Sequence, residues 1–323
     1  MLQRREGALT DSYNDRKGGN HPMFISNTGM SRALVRRETT AGYLFLLPSL
    51  FFFVTFVLYP MFMCIYTSFF DSNMGKNAVD VFVGLANYKE LFQDELFLGA
   101  LKNTVIIVVV AVPAVCAFSL WVATAIYDMK PALTSAFRCI FYLPVVTGSV
   151  AVTVVWKWMY NNRYGVFNYL LKSTGVIEQN INWLGDARFA LWCIILILFT
   201  TSVGQPIVLY VSALGNVDRT LVEAAEVDGA NRRQVFWKIK WAQIMPTTLY
   251  ILIITTINSF QCFALIQLLT SGGPTHSTDT IMYYIYYTAF KLYRYGYGNA
   301  MGVVLMIIIA VLSAIQFKLG QSD

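Results

Sequence analysis

The sequence predicts an all-α membrane protein of six transmembrane helices with cytoplasmic N- and C-termini, and three observations carry that prediction. Hydrophobic residues make up 56% of the chain and charged residues 13%, far from the ~45–50% and ~25% of soluble domains. The charges punctuate long uncharged stretches instead of interrupting them. Lysine and arginine are divided unevenly between alternate connections.

No Asp, Glu, Lys or Arg occurs in 39–70, 103–127, 139–156, 189–217, 241–278 or 295–317. Each interval can hold a helix that crosses a ~30 Å hydrocarbon core, for which about 20 apolar residues are needed. The fifth is too long for one helix and must spill into an outer loop. Avoidance is this strict because one central charge costs about 2.5–3.5 kcal/mol while each Leu, Ile, Phe or Val returns only about 0.3–0.6.

Orientation follows from short-loop lysines and arginines, which collect on the cytoplasmic side. With the N-terminus inside, 15 of the 24 are cytoplasmic: seven before the first span, then Lys130, Arg138, Arg219, Arg232, Arg233, Lys238, Lys240 and Lys318. The domain reading is therefore a basic cytoplasmic tail, 1–40, and a six-helix permeation domain, 41–323, with a cytoplasmic loop at 218–243. Arg4, Arg5, Arg16 and Lys17 lie among Gly, Asn and Ser with no early apolar run, which argues against a secretory signal peptide. The tail reads as a flexible segment on an anionic leaflet or as an ordered helix around Met30 to Arg37.

The topology and the tail account for the +6 net charge, so no nucleic-acid partner is implied. Cys64, Cys116, Cys139, Cys193 and Cys262 all lie in apolar spans without metal-ligand spacing, and His21 and His276 are isolated. No phosphate-binding loop or nucleophile elbow occurs, so the expectation is a chain with no catalytic residues, metal or cofactor of its own.

The charged insert "TLVEAAEVDGANRRQVFWKIKWAQIMP", Thr220 to Pro246, stands between two apolar spans. Thr220 and Glu223 have capping-box spacing, and Gly229 suits the left-handed residue that ends a helix, so a short helix is expected over 221–228. Asn231 and Gln234 can cap a second helix, which carries Val235, Phe236 and Ile239 into the next span near Pro246. Glu223 and Gly229 can serve the helix ends alone. Alternatively Leu221, Val222, Ala224 and Ala225 present a small apolar face to a partner's groove.

The string "EAAEVDGA" resembles the EAA loop of permease subunits in binding-protein-dependent ABC importers, E-A-A-x-x-x-G followed nine residues later by I-x-L-P. The resemblance implies a type I ABC importer permease fold and a coupling helix that docks in a cleft of a separate ATPase. It assigns ATPase coupling to Glu223, Ala224, Ala225, Asp228 and Gly229: Glu223 facing a basic residue, the alanines packed in the cleft, Gly229 forming the turn. Ile239 matches the tail of the pattern, but Trp241 and Ala242 stand where Leu and Pro are usual, which leaves the exit of the loop undefined.

Over 40–320 the resemblance narrows to sugar permeases of the maltose and glycerol-3-phosphate type. It rests on "GLANYKELF" at 84–92, "FRCIFYLP" at 137–144, "WKW" at 156–158, "GVFNYLL" at 165–171, "NWLGD" at 182–186 and "SFQCFALIQLLTSGGPTHSTDT" at 259–280. The outer loop at 71–100 is too short for the large extracytoplasmic domain of the maltose family's longer permease, and the chain is similar to the longer permease of an alginate-oligosaccharide importer. The implied partners are a second homologous permease, two ATPase subunits that bind MgATP, an extracytoplasmic solute-binding protein and membrane lipid, in a bacterial inner membrane.

A sugar path needs hydrogen-bonding groups inside the membrane. The fourth span offers Thr200, Thr201, Ser202 and Gln205 beside Gly204 and Pro206; the fifth offers Asn258, Ser259, Phe260, Gln261 and Gln267. The same residues also suit interhelical glue. No carboxylate lies in a span, which argues against a cationic substrate or a proton relay and favours a neutral or anionic sugar. Lys157 can snorkel outward or face the path, and the tyrosines of 283–298 fit an interfacial aromatic belt or a docking surface for the binding protein. The competing reading is a stand-alone secondary transporter or channel, which would show deep ionisable residues or paired repeats.

Overall fold

The structure is a computed structural model that describes residues 32–72 and 80–320, with the side chains of 32–38 left out. The expected basic tail up to residue 31 and Lys76 lie outside the described residues. The described chain begins as a helix, Arg32–Phe53.

The chain divides into two units, Met1–Pro60 and Met61–Asp323. The described part of the first is helix α1 (Arg32–Phe53), a π-turn at Val54–Leu58 and the first residues of α2 (Tyr59–Thr67). None of the most apolar stretch of Thr39–Thr67 is buried. Phe45 is 86% exposed, as suits a helix whose own backbone satisfies its polar groups and whose side chains need only lipid.

In the second unit a short β1–β2 ladder (Phe70–Asp71 with Val81–Phe82) precedes α3 (Ala86–Leu91) and the long α4 (Glu95–Ile126). Then come α5 (Pro131–Val146), α6 (Ser149–Met159), α7 (Val166–Ser173), α8 (Ala187–Ser202) and α9 (Gly204–Gly215). Helices α10 (Arg219–Val227) and α11 (Arg232–Val235) lead through a π-turn, Phe236–Lys240, into α12 (Trp241–Phe260). The chain ends with α13 (Ala264–Leu269), α14 (Ile281–Phe290) and α15 (Tyr295–Gly320).

Among the described residues four helices are long and apolar enough to cross a membrane: Thr39–Thr67, Glu95–Ile126, Arg232–Leu269 and Tyr295–Gly320. The pairs α5–α6, bent by 95°, and α8–α9, bent by 40°, bring the number to six when each is counted as one span. The span expected over 139–156 is thus a bent pair of helices, with its break at Thr147 and Gly148. Thr147 and Gly148 adopt extended backbone between α5 and α6, which ends one helix and starts the next.

Helix α4 is the hub of the second unit. One end packs Val115, Val122 and Ile126 against Ile207, Tyr210 and Leu214 of α9 and Ile244 and Ile251 of α12. The other packs Phe97 and Ala100 against Phe260, Ile281, Tyr284 and Met301. Close approach drives such packing in lipid, where apolar side chains gain little by leaving the solvent. Gly204 provides one instance: a Cβ there would meet the Phe141 carbonyl oxygen of α5. At the same break, Ser119 Oγ donates to the Val203 carbonyl at 3.3 Å.

The Glu95 end of α4 is tied by Asp94, which caps the helix by accepting from the amides of Leu96 and Phe97 at 2.9 and 3.3 Å. Its other oxygen accepts from the hydroxyls of Tyr284 and Tyr297 at 2.7 and 2.8 Å, and Glu90 receives both guanidinium nitrogens of Arg294 at 2.8 Å. Burial pushes the Asp94 carboxyl up, but the hydroxyl and amide bonds together outweigh it and hold the group below the usual carboxylate range. Two tyrosines of the 283–298 segment are thus buried ties between helices.

Candidate coupling loop and substrate path

The loop after α9 is built by its polar caps. Asp218, not Thr220, is the N-cap of α10: its carboxylate accepts from the Thr220 amide at 2.9 Å and the Thr220 hydroxyl at 2.8 Å. Those two bonds, the hydroxyl's first, hold the Asp218 carboxyl below its ordinary range. The capping box expected at Thr220 and Glu223 is corrected accordingly, and Glu223 is left exposed. Gly229 ends the helix at φ +83°, in the left-handed region that L side chains avoid. The second cap matches the sequence expectation: Asn231 Oδ1 accepts from the Gln234 amide at 3.0 Å while Gln234 Oε1 accepts from the Asn231 amide at 2.8 Å.

Helix α10 carries no fully buried residue. Leu221 is 50% and Val227 88% exposed, with Glu223 and Ala224 also open, while Val222 turns inward against the α4–α9–α12 core. Asp228 and Gly229 are exposed at the turn, and Ala225 is half-buried. A short helix with one face anchored and the other free has the form of a docking element.

Above this loop a cavity of about 160 Å³ opens between α9 and α12. It brings together Thr201, Ser202, Gln205 and Asn258 from the predicted path, and adds Tyr250, Thr255 and Ile254, which sequence reasoning missed. Tyr250, Ile254, Thr255 and Asn258 follow a three-to-four residue period on α12, the helical stripe that would have found them. Pro206, also in the wall, lacks the N–H that would continue the ladder at the α8–α9 bend.

The remaining candidates lie elsewhere. Phe260 and Ser259 are 1% and 2% exposed, and Phe260 sits in the core around Phe97 and Ile281. Thr200 is half-buried and donates to the Ile197 carbonyl at 2.9 Å. Gln261 is exposed at the end of α12, and Gln267 is half-buried in α13. Lys157 is exposed in the last turn of α6 and takes no part in the α9–α12 cavity.

The long loop after α13 is also ordered from within. Asn103 Nδ2 donates to the carbonyls of Ser277 and Asp279 at 3.1 and 3.0 Å, and Thr280 Oγ1 to that of Cys262 at 2.8 Å. Asp279 is buried beside His276, 2.7 Å away; burial pushes its carboxyl up and the His276 contact opposes that rise.

Comparison with known proteins places this architecture. Residues 97–321 match the family described as binding-protein-dependent transport system inner membrane component. A probable ABC transporter permease protein, YesP of Bacillus subtilis, is 33% identical over 88% of this chain and 91% of its own length. The lactose transport system permease protein LacF of Rhizobium radiobacter is 32% identical over 88% and 95%. The fold is shared with a chain of a bacterial ABC transporter involved in the import of the acidic polysaccharide alginate, at 24% identity and TM-score 0.74 over 88% of this chain and 96% of that one. The chain belongs to the family of inner membrane components of binding-protein-dependent transport systems, the helical permeases of ABC importers.

Proposed function

We propose that this chain is the permease subunit of an ATP-driven importer that takes an oligosaccharide, neutral or acidic, from an extracytoplasmic binding protein and releases it in the cytoplasm by alternating access. The observation that carries this reading is the run of α12: it begins in the loop bearing Glu223 and Gly229 and continues into the polar cavity at Tyr250, Thr255 and Asn258. Movement imposed on the exposed helix can therefore reach the cavity through one rigid element.

In this reading the termini are cytoplasmic, and MgATP is bound and hydrolysed by two ATPase subunits, with no catalytic group, cofactor or metal on this chain. A second homologous permease completes the path as a heterodimer. Glu223, Ala224, Ala225, Asp228 and Gly229 form the ATPase contact, while Thr201, Ser202, Gln205 and Asn258 meet sugar hydroxyls. The alginate-transporter fold likeness and the carboxylate-free spans support an acidic oligosaccharide as one candidate cargo.

The test is uptake of a neutral glucose trisaccharide and of a uronate trisaccharide by proteoliposomes holding the full complex and its binding protein. ATP-dependent uptake of either is expected. Gln205→Leu and Asn258→Leu should each lower it by about tenfold, the effect of leaving about 1.4 kcal/mol of polar pairing unmade. Uptake by this chain alone on an ion gradient would contradict the reading and favour a secondary transporter.

A further inference from the structure

We propose that Tyr127 and Lys240 form a strut that makes the coupling loop stiff, taking the place of the proline that this chain lacks. The inference rests on the coupling role given above to α10 and goes beyond it, because Tyr127 lies outside the loop and Lys240 fills only the unspecified position between Ile239 and Trp241 in its tail.

Tyr127 caps the C-terminal end of α4, and Lys240 is the last residue of the π-turn that feeds α12. They are 113 residues apart in sequence, yet Lys240 Nζ donates to the Tyr127 hydroxyl and lies 4.5 Å from the ring centroid. A charged donor bonded to the hydroxyl of a ring that is itself packed on the core fixes direction as well as distance. The π-turn fixes where that cation points, since a wide turn rotates the following side chains relative to a regular helix.

The location gives the contact its consequence. Two cavities of about 670 and 570 Å³ flank the loop, and Tyr127, Asp128, Val222, Glu226 and Lys240 line both. The pair therefore ties the end of α4 to the end of the coupling loop where it enters α12. Helix α10 and its cap reach the membrane helices through Val222, packed on the core, and through the Asp218 amide, which donates to Gln243 Oε1 at 3.1 Å. Trp241 and Tyr127 pack against the same core from α12 and α4. Leu and Pro are usual at 241 and 242, where the proline would rigidify the exit. Here Trp241 supplies bulk, Ala242 supplies no constraint, and the Lys240–Tyr127 pair supplies the fixed point. Both are positioning residues, since neither lies on α10 or lines the α9–α12 cavity.

The strut predicts a change in coupling with assembly preserved. In the reconstituted full complex, Lys240→Met and Tyr127→Leu should lower trisaccharide moved per ATP hydrolysed by roughly tenfold, the factor equivalent to about 1.4 kcal/mol. Binding-protein-stimulated hydrolysis should persist. Lys240→Arg should restore the ratio, and Tyr127→Phe, which keeps the ring, should give an intermediate value. If transport and hydrolysis fall in proportion, or the ratio is unchanged in all variants, the strut is overturned and the contact only holds the fold. If the wild-type complex moves neither trisaccharide, the permease reading falls and the strut with it. A wild-type complex that works beside unaffected variants overturns the strut alone.

Discussion

Glu223→Lys is expected to abolish binding-protein-stimulated ATP hydrolysis while leaving the permease folded and in the membrane. The carboxylate stands exposed on α10 and takes no part in the helix cap, which Asp218 supplies. Its loss should therefore cost little internally. In the assembled importer it is expected to face a basic side chain, and truncating such a pair costs about 2–5 kcal/mol, or about thirtyfold and upward in affinity. Reversal of charge adds repulsion. Gly229→Val should act through geometry at the same loop: its φ of +83° is open to glycine, and a left-handed L residue costs about 1–2 kcal/mol. No atom would obstruct the new Cβ, so the effect is conformational and the expected result is a misdirected α10. Stimulated ATPase activity of purified complexes distinguishes the cases, and normal activity in both variants would remove the coupling assignment.

The second large effect falls on stability. Asp94→Ala removes a helix cap and two buried tyrosine hydroxyl bonds in one substitution. With charge-assisted bonds worth about 1.5–3 kcal/mol each and not additive, a loss of about 2–4 kcal/mol is expected. Thermal unfolding in detergent should show it, and Tyr297→Phe should show a smaller part of it. The pH sign follows from a lowered folded value: the contribution is complete above the ordinary aspartate range near ~3.9 and is lost as pH falls through the lower value in the fold. A Gly296→Leu change should be severe for a different reason, since its Cβ would meet the Phe70 carbonyl oxygen.

Charge patterning made most of the membrane helices legible, because a misplaced charge in lipid is costly enough to leave visible gaps. It could not reveal the 95° break between α5 and α6, since a bend at Thr147 and Gly148 changes no charge and little hydropathy. Cap chemistry was readable at Asn231 and Gln234, where the reciprocal pattern is local. At α10 the same pattern pointed two residues too late, because Asp218 accepts from the Thr220 amide more directly than Thr220 caps a later turn.

The polar cavity between α9 and α12 was half legible for a reason of periodicity. Asn258 and Phe260 are neighbours in sequence but about 200° apart around a helix with 3.6 residues per turn. Asn258 accordingly lines the cavity while Phe260 enters the core. The tyrosines show the complementary difficulty: nothing local marks Tyr284 and Tyr297 as partners of Asp94, 190 and 203 residues away. The Lys240–Tyr127 pair is of the same kind.

The central claim, that α10 carries ATP-driven movement into this chain, is tested most directly by cross-linking. A single cysteine at Val227, the most exposed apolar residue of α10, would be introduced after replacing Cys64, Cys116, Cys139, Cys193 and Cys262. In an assembled complex shown to import sugar, a short bifunctional thiol reagent should join it to an ATPase subunit carrying surface cysteines around its docking cleft, with a yield that changes between nucleotide-free and ATP-bound states. An importing complex in which position 227 never cross-links to the ATPase would contradict the account.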